Sequence, residues 1–487
     1  MSILEDRYEV VVGLEIHAQL STLSKIYSPD SAEYGGSPNT HVSAITLGHP
    51  GTLPVLNEKA VEFAVKMGFA VNCHIRHENQ FARKNYFYAD LPKGYQITQH
   101  TTPICYEGYL DIKMKDGLLR RIGITRIHIE EDAGKSIHDQ DLHDSLIDLN
   151  RAGVPLIEIV SEPDLRSAEE AGVYLTEIRK LLRYLDICDG NMEEGSMRCD
   201  ANISVRLKGA TEYGNRCEVK NLNSIRNVQR AIEHEAQRQV EVLEAGGRID
   251  QNTLNFDALT GNTSVLRSKE MSNDYRYFPE PDLPPLVLSD SFIAGVKAAM
   301  PLLHDALYAI FVNEYKISGA EAITLLDRRE IAMYFMEMCK HTNNAKAAFN
   351  WLMGPVKSYM NEQATDITEF PLKPAGLAAI IALVDDGKVN NTLAAQQILP
   401  IMIANPSFDP LEIAIREGLL IEADSTELNG YILQAIEKFA DKVLEYQHGK
   451  KGLTGLFMGE VMKLSKGKVD PKTVSKLLTD ALDSYNL

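Results

Sequence analysis

The sequence predicts an α+β protein: one large mixed domain, then a helical domain, then a small helical tail. Strand-like alternation of apolar and polar residues recurs up to about residue 290, broken by two helical stretches. A proline cluster, Pro279, Pro281, Pro284 and Pro285, then punctuates the chain. Beyond about residue 293 helical spacing dominates to the end. We therefore expect domains at 1–293, 294–405 and 406–487, the second boundary falling in the segment 404–410 (ANPSFDP).

Each helix carries its own start or stop signal. The first follows Ser167, with Glu170 completing a capping box, and aligns Leu175, Ile178, Leu182 and Leu185 on one stripe. The second follows Ser224, carries Ile225, Val228, Ile232 and Leu243, and stops at Gly246-Gly247.

The totals bound the function class. A chain of 487 residues exceeds a single core, and 44% hydrophobic with 24% charged residues is ordinary for soluble globular protein. The longest apolar run, 375–384, is half a bilayer crossing, and the N-terminus has no leader pattern, so we expect no membrane partner. Six scattered cysteines without CxxC spacing argue against a disulfide framework and for a reducing, cytoplasmic setting. The net charge of −18 weakly disfavours nucleic acid, but phosphate contacts need only a local patch. Between residues 442 and 476 eight lysines meet Glu445, Glu460 and Asp470, a local balance of +5.

Carboxylates set into strands are the chemical signal. Along residues 9–20 one face is Val10, Val12, Leu14, Ile16, Ala18 and Leu20; the other carries Val11, Gly13, Glu15, His17 and Gln19. Glu15 and His17 therefore project together. Residues 122–132 (IGITRIHIEED) place Arg126, His128 and Glu130 on one face. In 155–160 (PLIEIV), Glu158 is the only charge among apolar residues, as in a strand covered on both sides. Burying an unpaired carboxylate costs several kcal/mol, so such groups gather a cation or donors. Three carboxylates could hold a divalent ion and leave room for phosphate oxygens. An ion pair with Arg126 or Arg151 is the rival explanation.

Residues 198–207 (RCDANISVRL) alternate more sharply, with Arg198, Asp200, Asn202, Ser204 and Arg206 on one face. Arg216, Glu218 and Lys220 repeat the pattern. Such a face suits an anionic substrate with metal, such as a nucleotide; a salt-bridged solvent face competes with that reading. Arg198, Arg206 and Lys220 are our candidates for nucleotide phosphates. Gly134-Lys135-Ser136 resembles the end of a phosphate-binding loop, but Ile129 stands where its first glycine belongs, and no GxGxxG is present. No serine or cysteine nucleophile arrangement is recognisable, so ammonia would have to come from elsewhere.

The segments GLEIHAQL, RKNYFYADLPKGYQIT, GITRIHIEEDAGKS, NRAGVPLIEIVSEPD, NMEEGSMRCDANISVR, EVKNLNS and DYRYFPEPDLPPL, in this order, closely resemble the B-subunit family of the glutamyl/aspartyl-tRNA amidotransferases. The resemblance runs end to end and includes Trp351-Leu-Met-Gly354. It implies a cradle domain with a glutamine-synthetase-like catalytic sheet. The implied reaction is ATP-dependent phosphorylation of the side-chain carboxylate of Glu-tRNA(Gln) or Asp-tRNA(Asn), followed by displacement of phosphate by ammonia. Implied partners are an amidase (A) subunit that releases ammonia from glutamine, a small C subunit and the tRNA, which the lysine-rich tail would contact. By motif, Glu15, His17, Glu130 and Glu158 match metal positions, for Mg2+ or Mn2+. Lys84, Lys93, Glu131 and Asp200 match polar positions lining the ammonia route and phosphorylation site.

Two departures stand out. Many relatives bind structural zinc through four cysteines; here the matching positions are Ser28, Asp30, Ser43 and Thr46, so we expect no zinc. Ala82 and Ala89 stand where the family usually has Asp and Pro, leaving the geometry of the loop around Lys84 open. A scaffolding subunit with a decayed site, or a stand-alone ligase, fits less well. The retained carboxylates and lysines argue against the first, the C-terminal third against the second.

Overall fold

The computed structural model describes residues 6–137, 140–141, 143–268, 275–421, 425–465, 467–469 and 471–485. The chain divides into two compact units, 1–304 and 305–487.

The first unit is built on a nine-stranded sheet. Its strands are β1 (Tyr8–Gln19), β2 (His74–Ile75), β5 (Cys105–Lys113), β6 (Leu119–Glu131), β7 (Pro155–Ser161), β8 (Met197–Leu207), β9 (Cys217–Leu222), β10 (Asn252–Phe256) and β11 (Thr263–Ser268). They lie in the order β11-β10-β9-β8-β1-β7-β6-β5-β2, antiparallel except for the β9–β10 pair. A second sheet of three strands, β12-β3-β4, joins β3 (Ala82–Asn85), β4 (Tyr95–Thr98) and β12 (Arg276–Pro279).

The alternation seen in the sequence is what makes the large sheet two-faced. Val12, Leu14, Ile16 and Ala18 are buried in the core beneath α1 (Glu58–Ala70), α2 (Ala168–Tyr184) and α3 (Ile225–Glu244). Leu175, Ile178 and Leu182 of α2 and Val228 and Ile232 of α3 join them, so each helix stripe lands on the apolar face. Ser167 and Ser224 cap their helices as expected, each accepting a backbone N–H three residues on. The Glu170 carboxylate reaches back to Arg166 N at 2.7 Å, so it does not close the box on Ser167 itself.

The second unit is helical. Two π-helical turns interrupt it, Leu352–Val356 around Pro355 and Ala394–Ile398 just before Pro400. Proline lacks the N–H the helix needs and crowds the carbonyl four residues back, and a widened turn relieves both. The buried Trp351 sits at the first of these turns. Residues 428–482 form their own small core, around Ile432, Ile436, Phe457, Val461 and Leu478. No helix among the described residues is long and apolar enough to cross a membrane.

Candidate active site

The polar face of the large sheet collects the carboxylates. In antiparallel pairs, directly opposed residues share a face. His17 lies opposite Arg198 on β8 and Glu158 on β7, and Glu158 lies opposite His128 on β6. Glu15 faces Asp200 one rung away. His17 Nε2 and His128 Nε2 approach the same oxygen of Glu158, at 3.3 and 3.4 Å. One ligand atom each from His17, Glu130 and Glu158 falls within 4.8 Å of the others.

Charge balance explains why such groups tolerate burial. Burial opposes ionisation of Glu158, but the two imidazoles outweigh it and hold its carboxyl well below the usual range. Burial likewise opposes the charge on Lys84; Glu130 and Glu158 outweigh it and lift its pKa above the ordinary lysine value. Lys84 Nζ lies 3.3 Å from Glu130 Oε1. Glu15 stands beside the trio, not within it: its Oε1 accepts from Asn202 Nδ2 at 2.8 Å. Burial, then repulsion from Glu158 and Glu218, raises its pKa. Neither Arg126 nor Arg151 forms an ion pair with Glu15, Glu130 or Glu158 among the described residues; the cationic partners are Lys84 for Glu130 and the two imidazoles for Glu158. Arg151 instead turns to Asp132, at 3.7 Å.

Octahedral ligands about 2.1 Å from a magnesium ion lie roughly 3–4 Å apart. The ligand atoms of His17, Glu130 and Glu158 lie within 4.8 Å of one another, so these nitrogen and oxygen donors would draw in slightly to share a divalent cation.

The basic candidates are mostly spoken for. Arg198 donates to the buried Asp132 at 2.8 Å, Lys220 to Asp200 at 2.6 Å and Arg206 to Glu9 at 2.6 Å. Arg206 is six residues beyond Asp200 on β8, about 20 Å away at 3.3 Å per residue. Arg216, by contrast, lines a cavity of about 240 Å³ with Glu15, Asn202, Ser204 and Tyr213. His128, on the Glu130 face by alternation, meets Glu158, and Asp132 is the buried acceptor that the sequence reading leaves out. Asp132 continues the alternation Arg126-His128-Glu130, the signal that marks it.

Glu131 points to the opposite face of β6 from Glu130. Lys93 Nζ donates to both its oxygens, at 2.5 and 2.6 Å, and Ile97 N donates to one at 2.9 Å. Gly94, at φ 73°, turns the chain into β4 directly after Lys93. Tyr86 N donates to Gly94 O at 3.2 Å, so the β3–β4 connection closes with Ala89 exposed in it and Ala82 on β3. Lys93 and Glu131 line a pocket of about 190 Å³ with Lys25, Tyr27, Ser28 and Thr46. Burial lowers Lys25 to about 8; its Nζ donates to the carbonyls of His41 and Leu149, at 2.6 and 3.3 Å.

The four positions matching the zinc cysteines also converge. Asp30 Oδ2 accepts from Ser28 Oγ at 3.0 Å, from Ser43 Oγ at 2.8 Å, from Ser43 N at 2.9 Å and from Thr46 Oγ1. Burial opposes its charge, but these donors outweigh it and lower its pKa. One carboxylate and three hydroxyls that donate to it do not fit tetrahedral zinc.

In the tail, Lys442 and Lys450 share Glu445, and Lys451 pairs with Asp483. Lys466 and Asp470, and the side chain of Lys472, lie outside the described residues.

The family model described as "GatB/GatE catalytic domain" matches residues 10–294, and that described as "GatB domain" matches 333–482. The chain belongs to the GatB/GatE family. Among relatives, the B subunit of the aspartyl/glutamyl-tRNA(Asn/Gln) amidotransferase of Caldicellulosiruptor bescii is 47% identical over 98% of this chain and 99% of its own. The protein of the same name in Gluconobacter oxydans is 48% identical, over 98% and 97%. That of Pseudomonas syringae is 45% identical, over 98% and 100%. The family's catalytic-domain match spans both the carboxylate face and the Lys93–Glu131 pocket.

Proposed function

We propose that this chain is the ATP-dependent kinase–transamidase subunit of a tRNA-dependent amidotransferase, a carbon–nitrogen ligase that uses glutamine as amide donor. The observation that carries this is the convergence of His17, Glu130 and Glu158, with Lys84 beside them, on the polar face of the sheet. A side-chain carboxylate is a poor electrophile with a poor leaving group. Its oxygen attacks the γ-phosphorus of ATP and ADP departs. Ammonia then attacks the carbonyl carbon of the acyl phosphate, the C–O bond to phosphate breaks, and the amide loses its extra proton. The substrate is the glutamyl or aspartyl group of mischarged Glu-tRNA(Gln) or Asp-tRNA(Asn).

A divalent ion, Mg2+ or Mn2+, held by His17, Glu130 and Glu158 with Glu15 alongside, would supply neutralisation of phosphoryl charge. Lys84 adds a fixed positive charge at the same point, and the buried surroundings strengthen it. Arg216, Asn202 and Ser204 offer donors to nucleotide phosphates on the β8–β9 side. Lys93 and Glu131, which match polar positions of the family's ammonia route, would line the path of ammonia from a partner amidase subunit. Such a subunit, with a small third one, completes the enzyme. The Asp30 knot replaces the zinc that many relatives carry. The six free cysteines suit a reducing cytoplasm. Residues 406–487 act as a tail domain that meets tRNA phosphates, and the paired lysines there weaken its field rather than cancel it.

The test is co-purification with partners and transamidation assays on both mischarged tRNAs. Glu158→Gln abolishes ADP formation while tRNA still binds; undiminished ATP cleavage would sink the assignment. Truncation after residue 405 weakens tRNA binding far more than ATP use, and equal tRNA affinity across a salt series would exclude the tail.

A further inference from the structure

The cavity beside the carboxylates, about 180 Å³, is lined by Glu15, Lys84, His128 and Glu158, and its outer wall is aromatic. The β3–β12 register sets Tyr277 directly across from Lys84. His100 stacks on Tyr277 almost face to face, with centroids 3.9 Å apart and planes at 12°. Tyr86 meets Tyr275 and Tyr88 edge-on, at 5.5 and 5.7 Å, and Lys84 Nζ lies 5.2 Å from the Tyr275 ring centre. None of these rings belongs to the hydrophobic core of the unit. Tyr277 keeps 36% of its surface exposed although His100 covers one side of it, and Tyr88 keeps 55%. Rings left open in a row at the mouth of a charged cavity mark a binding surface for a flat, sequence-tolerant π-face.

We propose that this aromatic wall, centred on the His100–Tyr277 stack, holds the terminal adenosine of the aminoacyl-tRNA. The proposal rests on the function proposed above. The aminoacyl group is esterified to that nucleoside's ribose, so the reacting side-chain carboxylate hangs only a few bonds from it. A substrate that brings its carboxylate to Lys84 and Glu130 must leave the adenosine at the cavity mouth, where the rings are. The adenine of ATP is the other possible source of the same chemistry. Geometry assigns it elsewhere. In-line transfer puts the acceptor oxygen and the departing ADP oxygen on opposite sides of the transferred phosphorus, which two separate cavities opening from the carboxylates suit. Glu15 lines both this cavity and the one on the β8–β9 side, where Arg216, Asn202 and Ser204 gather. The two cavities therefore meet at the carboxylates, ATP entering from one and the aminoacyl end from the other.

The test uses the full complex with its partner subunits and a Glu-tRNA(Gln) or Asp-tRNA(Asn) whose terminal adenine is replaced by 2-aminopurine, which loses fluorescence when stacked. A parallel arm uses 2-aminopurine riboside triphosphate in place of ATP. In wild type the terminal label is quenched. Tyr277→Leu restores its fluorescence and raises KM for aminoacyl-tRNA roughly 5- to 100-fold, with KM for ATP unchanged; Tyr277→Phe behaves as wild type. Should Tyr277→Leu fail to fold, His100→Leu carries the same expectation. A wild-type complex that forms amide without quenching the terminal label overturns the adenosine site and leaves the proposed function standing. Variants that raise KM for ATP, or release the quench of the labelled triphosphate, overturn it in favour of ATP's adenine. Failure of the wild-type complex to amidate either tRNA overturns both.

Discussion

Glu130 and Glu131 are neighbours on one strand, yet they lie in different environments. Each is almost fully buried, at 2% exposure, and each meets a lysine from the β3–β4 segment. Glu131 is well satisfied: Lys93 grips both oxygens and a backbone N–H adds a third hydrogen bond. Glu130 is held by one longer contact and keeps acceptor capacity turned toward His17 and Glu158. A carboxylate that already accepts three hydrogen bonds is held in place by its neighbours. One with lone pairs to spare, in a cluster of like charges, is positioned for a ligand. The β-strand period of two separates the roles.

The largest effect we expect is on the Glu130 side. Glu130→Gln keeps the volume and lowers ADP formation at least about 10³-fold, about 4 kcal/mol of transition-state stabilisation, with a smaller fall in melting temperature than Glu131→Gln because Glu158 still faces Lys84. Steady-state ADP release and a thermal melt on the same sample check it; retained turnover would remove the distinction between the two glutamates. Glu131→Gln should do the reverse. It leaves the Lys93 ammonium buried without a carboxylate and costs about 3 kcal/mol or more of stability. ADP formation then falls only in proportion to the unfolded fraction. Adding Lys93→Met to Glu131→Gln recovers part of the loss in urea unfolding. Additive losses would show that the pair is not coupled.

How much of this was legible in the sequence follows the same period of two. Alternation placed Glu15, His17, Glu130 and Glu158 on sheet faces because side-chain direction is a local property of a strand. The charge partners were not legible. Arg198 meets Asp132, Lys220 meets Asp200 and Arg206 meets Glu9 through strand register, which links residues far apart in the chain. The Asp30 knot and the carbonyl-held Lys25 depend on loops whose course no periodicity encodes. The α+β architecture was legible because it rests on long, repeated patterns. The π-helical turns at Pro355 and Pro400 have no periodic signal of their own, although proline's missing N–H marks both places.

The lysines sharpen the comparison further. Lys84, on the Glu130 side, is lifted by carboxylates; Lys25, on the Glu131 side, is lowered to about 8 by burial and held mainly by carbonyls. A lysine whose folded pKa lies below its unfolded value binds fewer protons in the folded state between pH 8 and 10.5. Stability should therefore rise with pH through that window. We expect wild type to gain about 1–3 kcal/mol relative to Lys25→Met between pH 8 and 10. Urea midpoints at the two pH values measure it, and parallel slopes for the two proteins would mean that Lys25 keeps its ordinary pKa and its charge in the folded protein.

The smallest effect tests whether hydrogen bonds alone organise the loop wall of the Glu131 pocket. Ser28 and Thr46 line that pocket and both donate to Asp30. Asp30→Asn keeps the shape but removes the charge that makes these bonds strong, and one amide nitrogen then faces hydroxyl donors. A loss of about 1–2 kcal/mol is expected. Because the folded Asp30 pKa lies below its unfolded value, the wild-type advantage is present at neutral pH and disappears as pH falls below about 4. A zinc chelator should leave the melting of both proteins unchanged. If chelation lowers the wild-type melting temperature to that of Asp30→Asn, a metal and not the hydroxyl cage holds this wall, and the contrast between a ligand-ready Glu130 side and a self-sufficient Glu131 side fails.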